Sequence, residues 1–275
     1  MKGKSMELST SRNERGEFKL DLSLYSAIPS QTSELDRTGL LALQNAVRTS
    51  MGTYCYLEIG SHLGGTLQPH LLDPLCETIY SIDKRPLFQP DNRGWNAFYE
   101  GNSTARMLAN LKAVDANAIS KIKTIDKDAS EVKPDEIVLK PDLCFIDGEH
   151  TDRAALADFE FCLSVTKPNG VIAFHDANIV PRALTKILDR LQVEKRVYRS
   201  YLLADVVFVI ELGDSDCQAH AAVQSLLTQN SPTALTHLMN HLEAQEALRS
   251  KCVNIALRIE RIPYRIRRIL SRVRS

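Results

Sequence analysis

Two short motifs carry side chains of the kind that bind metal ions and move protons. The motif FIDGEH contains Asp147 and His150. The motif AFHD ends in His175 and Asp176. Both motifs follow apolar runs typical of buried strands. Neighbouring parallel strands lie about 4.8 Å apart, so the four side chains can converge on one point above a sheet if these two strands are adjacent. Carboxylate and imidazole groups suit Mg²⁺, Mn²⁺ or a similar divalent cation, which lowers the pKa of a coordinated hydroxyl.

His150 is also a candidate general base, because an imidazole accepts a hydroxyl proton near neutral pH. Simpler interpretations stay open for both histidines. His150 precedes Thr151, a residue type that caps helices, and can simply lie at a helix start. His175 can be a strand-end histidine whose hydrogen bonds are satisfied. Asp158, inside the helix that follows, is expected to be a solvated or structural acid.

A glycine loop follows the first strand-like run, at residues 56–66 (YLEIGSHLGGT). Gly60 permits a tight turn there, but the loop lacks the GxGxxG pattern that holds a pyrophosphate. Glu58 would oppose a diphosphate and suits a ligand that carries an ammonium or hydroxyl groups. Asp83 ends the next strand-like run, where a carboxylate accepts hydrogen bonds from ribose hydroxyls. Together these acids favour a nucleoside without a diphosphate, although a turn acid and a packing glycine would produce the same letters.

Strand-like runs alternate with helical stretches over most of the chain. The more continuously apolar runs are typical of strands buried on both faces, so the alternation predicts a parallel sheet covered by helices. The strand-like runs are residues 53–60, 77–83, 121–126, 141–147, 170–176 and 204–212, and the helical stretches are 33–52, 63–75, 103–118, 151–166 and 181–192.

Four segments carry a resemblance to a known family: EIGSHLGGT (58–66), IYSID (79–83), TIDKDASEV (124–132) and FIDGEHTDRAALADFEFCLSVTKPNGVIAFHDA (145–177). In this order they resemble class I S-adenosylmethionine-dependent methyltransferases, over roughly residues 35–212. The resemblance is closest to the branch with macrocin-type and other sugar or natural-product O-methyltransferases and cephalosporin-hydroxylase-like proteins. It implies an α/β fold with a Rossmann-like, mostly parallel seven-stranded sheet, helices on both faces and a last strand that pairs antiparallel.

The resemblance also implies roles for individual residues. The methionine end of S-adenosylmethionine would be lined by Gly60, Ser61 and Gly64, the ribose would be held by Asp83, and the adenine would be flanked by Asp128 and Ala129. His62 departs from the family pattern, because a glycine often occupies that place.

The resemblance further implies that Asp147, His175 and Asp176 hold the metal and that His150 is the base. His175 stands where a carboxylate is often found. An imidazole there favours Mn²⁺, Fe²⁺ or Zn²⁺ over Mg²⁺.

The expected function is transfer of a methyl group from S-adenosylmethionine to a hydroxyl of a small molecule, a sugar or glycosylated compound, with help from a divalent metal such as Mg²⁺ or Mn²⁺. Trp95 and Tyr99 form a candidate wall for substrate or adenine, or else simply pack. One alternative is a nicotinamide-dependent oxidoreductase, for which residues 56–66 lack the pyrophosphate loop. Another is a non-catalytic cofactor-binding scaffold that works through a basic C-terminal helix.

Composition limits the partners. The 275 residues include 34 Lys and Arg and 34 Asp and Glu, and this balance does not support a protein that coats nucleic acid. The absence of a long apolar run and of an apolar leader indicates a cytoplasmic protein. Six cysteines without a CxxC pair are expected to be reduced thiols.

The chain is expected to divide into an N-terminal arm (1–32), a catalytic domain (33–212) and a helical extension (213–275). Seven arginines and one acid lie in residues 258–274, among apolar residues at helical spacing. This basic amphipathic tail suits an anionic membrane surface, an acidic partner, or docking on the catalytic domain or on a second subunit of a homo-oligomer. Docking on protein is the favoured interpretation.

Overall fold

A single large β-sheet runs through the centre of the protein, for which we describe a computed structural model. The structure describes residues 11–12, 18–203, 206–230, 236, 238–244, 246–248 and 250. The basic tail predicted at residues 258–274 and the sixth cysteine, Cys252, lie outside the described residues.

The sheet has eight strands in the order β8-β6-β7-β5-β4-β1-β2-β3. The strands are β1 (Tyr54–Ile59), β2 (Cys76–Ile82), β3 (Ile122–Ile125), β4 (Leu143–Ile146), β5 (Val171–Phe174), β6 (Tyr198–Leu203), β7 (Val207–Leu212) and β8 (Leu227–Asn230). Strands β1 to β5 are mutually parallel, and β7 lies antiparallel between β5 and β6. The predicted Rossmann-like, mostly parallel sheet is therefore confirmed, with β8 as an additional antiparallel edge strand beside β6.

Helices cover both faces of this sheet, as predicted. They are α1 (Glu34–Met51), α2 (Gln68–Leu72), α3 (Thr104–Val114), α4 (Asp152–Val165), α5 (Pro181–Val193) and α6 (Ala221–Gln224). One apolar core lies between the sheet and α4 and α5, and a second lies between the sheet and α1, α2, α3 and α6. Alternate residues of β1 serve the two cores, with Leu57 in the first and Tyr56 in the second, which explains why the parallel strands are apolar throughout.

Two segments differ from their expected organisation. Residues 22–25 of the expected arm form a short 3-10 helix that packs on α1, because Leu24 and Tyr25 bury their side chains there. The amide of Gln68 then binds the backbone of Ala27 and Ile28 and holds the following loop. In the extension, the segment expected to be helical contains α6 but also the strand β8.

Two smaller hairpins complete the described structure. They pair Ser11–Arg12 with Phe18–Lys19 and Phe88–Pro90 with Asn96–Phe98. Five cysteines, Cys55, Cys76, Cys144, Cys162 and Cys217, are buried free thiols, as predicted. No helix among the described residues has the length and apolar character needed to cross a bilayer.

The loops that follow β1 and β4 meet at Gly60. The strand order reverses between β1 and β4, which opens a crevice beyond the carboxyl ends of the strands. Gly60 has a φ of +92°, and a Cβ at this position would lie 2.1 Å from the backbone oxygen of Asp147. Only glycine fits this position without displacing the backbone that carries Asp147.

We therefore expect Gly60→Ala to destabilise the protein more than Gly52→Ala. Gly52 also has a positive φ, +75°, but a Cβ there would meet nothing within 4 Å. The free energy of unfolding of the Gly52 variant should fall by only about 1 to 3 kcal/mol, because of backbone strain alone. That of the Gly60 variant should fall by at least about 1 kcal/mol more, because of the clash with Asp147. Urea unfolding of both variants checks this. Equal losses of unfolding free energy would mean that the backbone of Asp147 can move away from residue 60 without an energetic cost.

Candidate active site

A cavity of about 590 Å³ lies at the carboxyl ends of β1, β4 and β5. It brings together seven of the residues singled out in the sequence, from four separate loops. They are Gly60, Ser61, Asp83, Asp147, His150, His175 and Asp176. A second, smaller cavity is lined by Asp128 and Ala129, and it shares Gly60, Asp83 and Gln89 with the first. Glu58 and Gly64 line neither cavity.

The two polar motifs converge at one point of the large cavity. Nδ1 of His175 lies 3.1 Å from Asp147 Oδ1 and 3.3 Å from Asp176 Oδ2. Nε2 of His150 lies 3.4 Å and 3.3 Å from the same two oxygens. One ligand atom from each of the four residues falls within 4.8 Å of all the others. The parallel register of β4 and β5 produces this convergence, because Ile146 and Phe174, the last residues of the two strands, are paired neighbours.

The two histidines balance the charge of the aspartates in this cluster. Burial alone lowers the pKa of His175, but the carboxylates of Asp147, Asp176 and Asp36 outweigh it and hold that pKa well above its usual value. Burial likewise raises the pKa of Asp147, and His175 and His150 outweigh it, so that this pKa is lowered. The site therefore carries protons that a bound cation can displace.

Several buried polar atoms that line the large cavity have no hydrogen-bond partner. Among the described residues they are Oδ1 of Asp36, Oγ of Ser61 and Nε2 of His62. The ring nitrogens of His175 lie 3.1 to 3.4 Å from carboxylate oxygens but without hydrogen-bond geometry. Buried polar groups are normally paired, so a cluster of unpaired ones marks a place for a polar ligand.

Asp36 is a site residue that the sequence analysis missed. It forms the capping box of α1 with Ser33, and its Oδ2 also lies 3.4 Å from Nε2 of His175. The sequence shows Asp36 only as an acid in the first turn of a helix. Its approach to the end of β5 depends on how α1 packs across the sheet, for which no local pattern exists.

The glycine loop is tied to Asp83. The backbone amide of His62 donates to Oδ2 of Asp83 at 2.9 Å, and the amide of Arg85 donates to its Oδ1 at 2.7 Å. The buried Arg85 guanidinium also donates to the carbonyl oxygen of His62 at 2.5 Å. Asp83 thus faces both cavities from a fixed orientation.

Residues 57–177 match the family model described as a methyltransferase domain. This range contains the glycine loop, Asp83 and the whole four-residue cluster. This part of the chain is therefore similar to methyltransferase domains. No curated protein matches the chain.

Several solved structures are similar to the chain at low identity. CalS11, a calicheamicin methyltransferase, is 18% identical over 66% of this chain and 81% of that chain, with a TM-score of 0.49. The cofactor-bound Rv0187 from MTB is 13% identical over 71% and 88%, with a TM-score of 0.45. The O-methyltransferase TomG from Streptomyces achromogenes is 13% identical over 70% and 90%, with a TM-score of 0.44.

Glu58 does not reach the cavity, in contrast to its expected contact with the ligand. Its carboxylate is fully buried below the glycine loop, where it accepts hydrogen bonds from the hydroxyls of Tyr56 and Thr66, both at 2.6 Å. Gly64 has a comparable supporting place, because a Cβ there would lie 2.9 Å from the side chain of Leu111 in α3. Both residues shape the loop from behind.

The hairpin at residues 88–98 covers the large cavity from one side. The backbone amide of Asn92 donates to the carbonyl oxygen of His150, and its side chain donates to that of Ile179. Tyr99 lines the cavity and makes an edge contact with His62 at 5.1 Å between ring centroids. Trp95 is 70% exposed and lies outside the cavity lining, so of the two residues expected to form a wall only Tyr99 does so.

We expect Glu58→Gln to flatten the pH dependence of stability. Burial raises the pKa of Glu58 from 4.5 to about 7, so the folded state is favoured with Glu58 neutral, and that stability is lost as the pH rises from about 5 through about 7. The loss amounts to at most about 3 kcal/mol, and the uncharged Gln avoids it.

Urea unfolding at about pH 5 and about pH 8 measures the difference. The exposed Glu160 provides the control variant Glu160→Gln, which should follow the wild-type curve. Parallel pH curves for wild type and Glu58→Gln would contradict the assignment of a raised pKa to Glu58.

Proposed function

We propose that this domain transfers a methyl group from S-adenosylmethionine to a hydroxyl oxygen of a small molecule, a sugar or glycosylated compound. One observation carries the proposal: Asp147, His150, His175 and Asp176 converge in the cavity that is also lined by Gly60, Ser61 and Asp83. A base and a candidate cation site therefore face the loop at which the methyl donor is expected to bind.

The shape of the site supports a donor that extends across both cavities. S-adenosylmethionine, when bound, supplies a methyl group on a positively charged sulfur. The unpartnered Ser61 hydroxyl suits its methionine end, Asp83 suits the ribose hydroxyls, and the small cavity beside Asp128 and Ala129 suits the adenine. Binding in this way would fix the methyl group near the four-residue cluster, and positioning of the two reactants is a large part of such catalysis.

His150 is the proposed general base. Its Nε2 lies in the cluster between Asp147 and Asp176, whose carboxylates stabilise the imidazolium that forms when the acceptor hydroxyl gives up its proton. Asn92 covers the backbone of His150 from the hairpin side and restricts its movement.

The same cluster fits a divalent cation. Asp147, His175 and Asp176 would hold it, because each offers one ligand atom and these atoms lie within 4.8 Å of one another. A bound cation of this kind supplies Lewis acidity that lowers the pKa of a hydroxyl beside it. The imidazole in the set favours Mn²⁺, Fe²⁺ or Zn²⁺ over Mg²⁺.

The outer part of the large cavity supports a polyhydroxyl acceptor. Amide, carboxylate and guanidinium groups line it, together with the ring of Tyr99, and such groups bind hydroxyls and the apolar faces of sugars. The polar lining residues there are Gln31, Gln89, Asp91, Arg93 and Asn102.

We expect His150→Ala to reduce methyl transfer by about 10²- to 10⁴-fold, the usual contribution of a general base. Binding of S-adenosylhomocysteine should change little, because His150 faces the acceptor. A panel of sugars and glycosides with radiolabelled donor measures transfer, and calorimetry measures binding. The exposed His241 lines neither cavity, so His241→Ala should keep both properties.

Transfer by His150→Ala at the wild-type rate would overturn the assignment of the base. Donor binding by the wild type without transfer to any hydroxyl compound would favour a cofactor-binding scaffold instead.

Chelation should remove activity if the cation site is used. Protein treated with EDTA is expected to lose methyl transfer and to regain it with Mn²⁺. Mn²⁺ binding followed by electron paramagnetic resonance should weaken at least tenfold in His175→Ala and Asp176→Asn, because the first change removes a ligand and the second removes the negative charge of one. Full activity of the chelated protein would assign deprotonation to His150 alone.

A further inference from the structure

Asp158 is a buried acid for which the proposed reaction has no use. It lies two turns into α4 and is only 5% exposed, next to the core residues Phe159 and Cys162. On the same face of the helix as Ala154, its side chain lines the small cavity. Of the two alternatives expected for this position, a solvated or a structural acid, the solvated one is wrong, because the carboxyl group is enclosed between α4 and the ends of β1 and β4.

No described residue pairs with this carboxyl group. Among the described residues it makes no hydrogen bond and no ion pair within 4.0 Å. Lys84, a basic residue that lines the same cavity, already forms ion pairs with Asp128 at 3.3 Å and with Glu149 at 3.0 Å. A buried carboxyl group without a partner is costly, and such groups are concentrated at ligand sites.

The other acids of the small cavity are already engaged. Oδ1 of Asp128 accepts hydrogen bonds from the backbone and hydroxyl of Ser130, and its Oδ2 faces Lys84. Glu149 binds Lys84 and the hydroxyl of Thr151. Asp158 is therefore the acid of this cavity with full hydrogen-bonding capacity for a ligand.

The small cavity has apolar walls of the kind against which a purine ring packs. Its walls include the apolar side chains of Ile59, Ile82 and Ala129, and Asp83, the proposed ribose ligand, stands at the junction with the large cavity. Gly148 leaves the approach to Asp158 open, because a Cβ there would lie 3.2 Å from both Asp158 Oδ2 and the side chain of Ile59. A base joined to a ribose at Asp83 would thus face Asp158.

We propose that the Asp158 carboxyl group binds the Watson–Crick edge of the adenine of the methyl donor. This inference rests on the proposed use of S-adenosylmethionine. A neutral carboxyl group offers one donor and one acceptor, which match the ring nitrogen N1 and the exocyclic amino group of adenine. Burial, together with the nearby Asp128 and Glu149, raises the pKa of Asp158 to about 7 against the opposing effect of Lys84, so the neutral form is available near neutral pH.

Calorimetry with S-adenosylhomocysteine tests the proposal on the full chain. Asp158→Asn keeps one donor and one acceptor, so its affinity should stay within about threefold of wild type. Asp158→Ala loses both and should bind at least about tenfold more weakly. Glu160→Ala, an exposed change on the same helix, is the control and should bind as wild type does.

A second ligand separates recognition from packing. An analogue of S-adenosylhomocysteine that carries hydrogen in place of the adenine amino group lacks half of the proposed contact. The affinities of wild type and Asp158→Ala should therefore differ clearly less for this analogue than for S-adenosylhomocysteine. An equal loss for both ligands would overturn the proposal and assign Asp158 to the support of the cavity wall.

The melting temperature of Asp158→Ala distinguishes a binding role from a structural one, because loss of a structural contact would lower it. Because the folded state is favoured with Asp158 neutral, its contribution to stability is lost as the pH rises through about 7. At about pH 8 Asp158→Ala should melt at or above the wild-type temperature, and a clearly lower melting temperature would overturn the proposal. Equal affinity of wild type and Asp158→Ala for S-adenosylhomocysteine would overturn it too, whereas a wild-type protein that fails to bind this ligand would overturn the proposed function itself.

Discussion

The close contact between the backbone of Gly60 and the end of β4 determines where the functional groups of this protein lie. The glycine loop leaves β1 at a positive φ and passes within contact distance of the Asp147 carbonyl group. A side chain at residue 60 would separate the loop from the strand end. With glycine there, the loop that is proposed to hold the donor and the strand end that carries the polar cluster share one cavity.

Buried acids are concentrated around this contact. Asp36, Asp147 and Asp176 surround His175 on one side, Glu58 lies below the loop, and Asp158 lies on the far side of Gly148. These buried acids are compensated in different ways. Histidines compensate the first group and hydroxyl donors satisfy Glu58, whereas Asp158 has neither among the residues that the structure describes. A ligand is the remaining way to satisfy a buried acid that the protein leaves without a partner.

Much of the fold could be predicted from the sequence, because the central strands are apolar throughout and bounded by turn residues. All six strand-like runs form strands of the sheet. The sequence pattern does not indicate strands β6 and β8. Tyr198–Leu203 begins among charged residues and Leu227–Asn230 is largely polar, as is common near a sheet edge. The predicted helix at residues 63–75 shrinks to Gln68–Leu72, because the glycine loop occupies the turns before Pro69.

The sequence by itself determined that Asp147, His150, His175 and Asp176 follow strands of a parallel sheet, whose carboxyl ends lie at one edge. The family resemblance implied that the two strands are neighbours, and their pairing in the structure confirms this. It also determined that Gly60 follows strand β1 and that Asp83 follows strand β2, which pairs with β1. Only the tertiary structure decided that Asp36 meets His175, that Glu58 turns away from the cavity, and that Asp158 faces it. These three placements depend on which face of a helix or strand packs against a distant element, and residue periodicity shows that a face is buried but not what it is buried against.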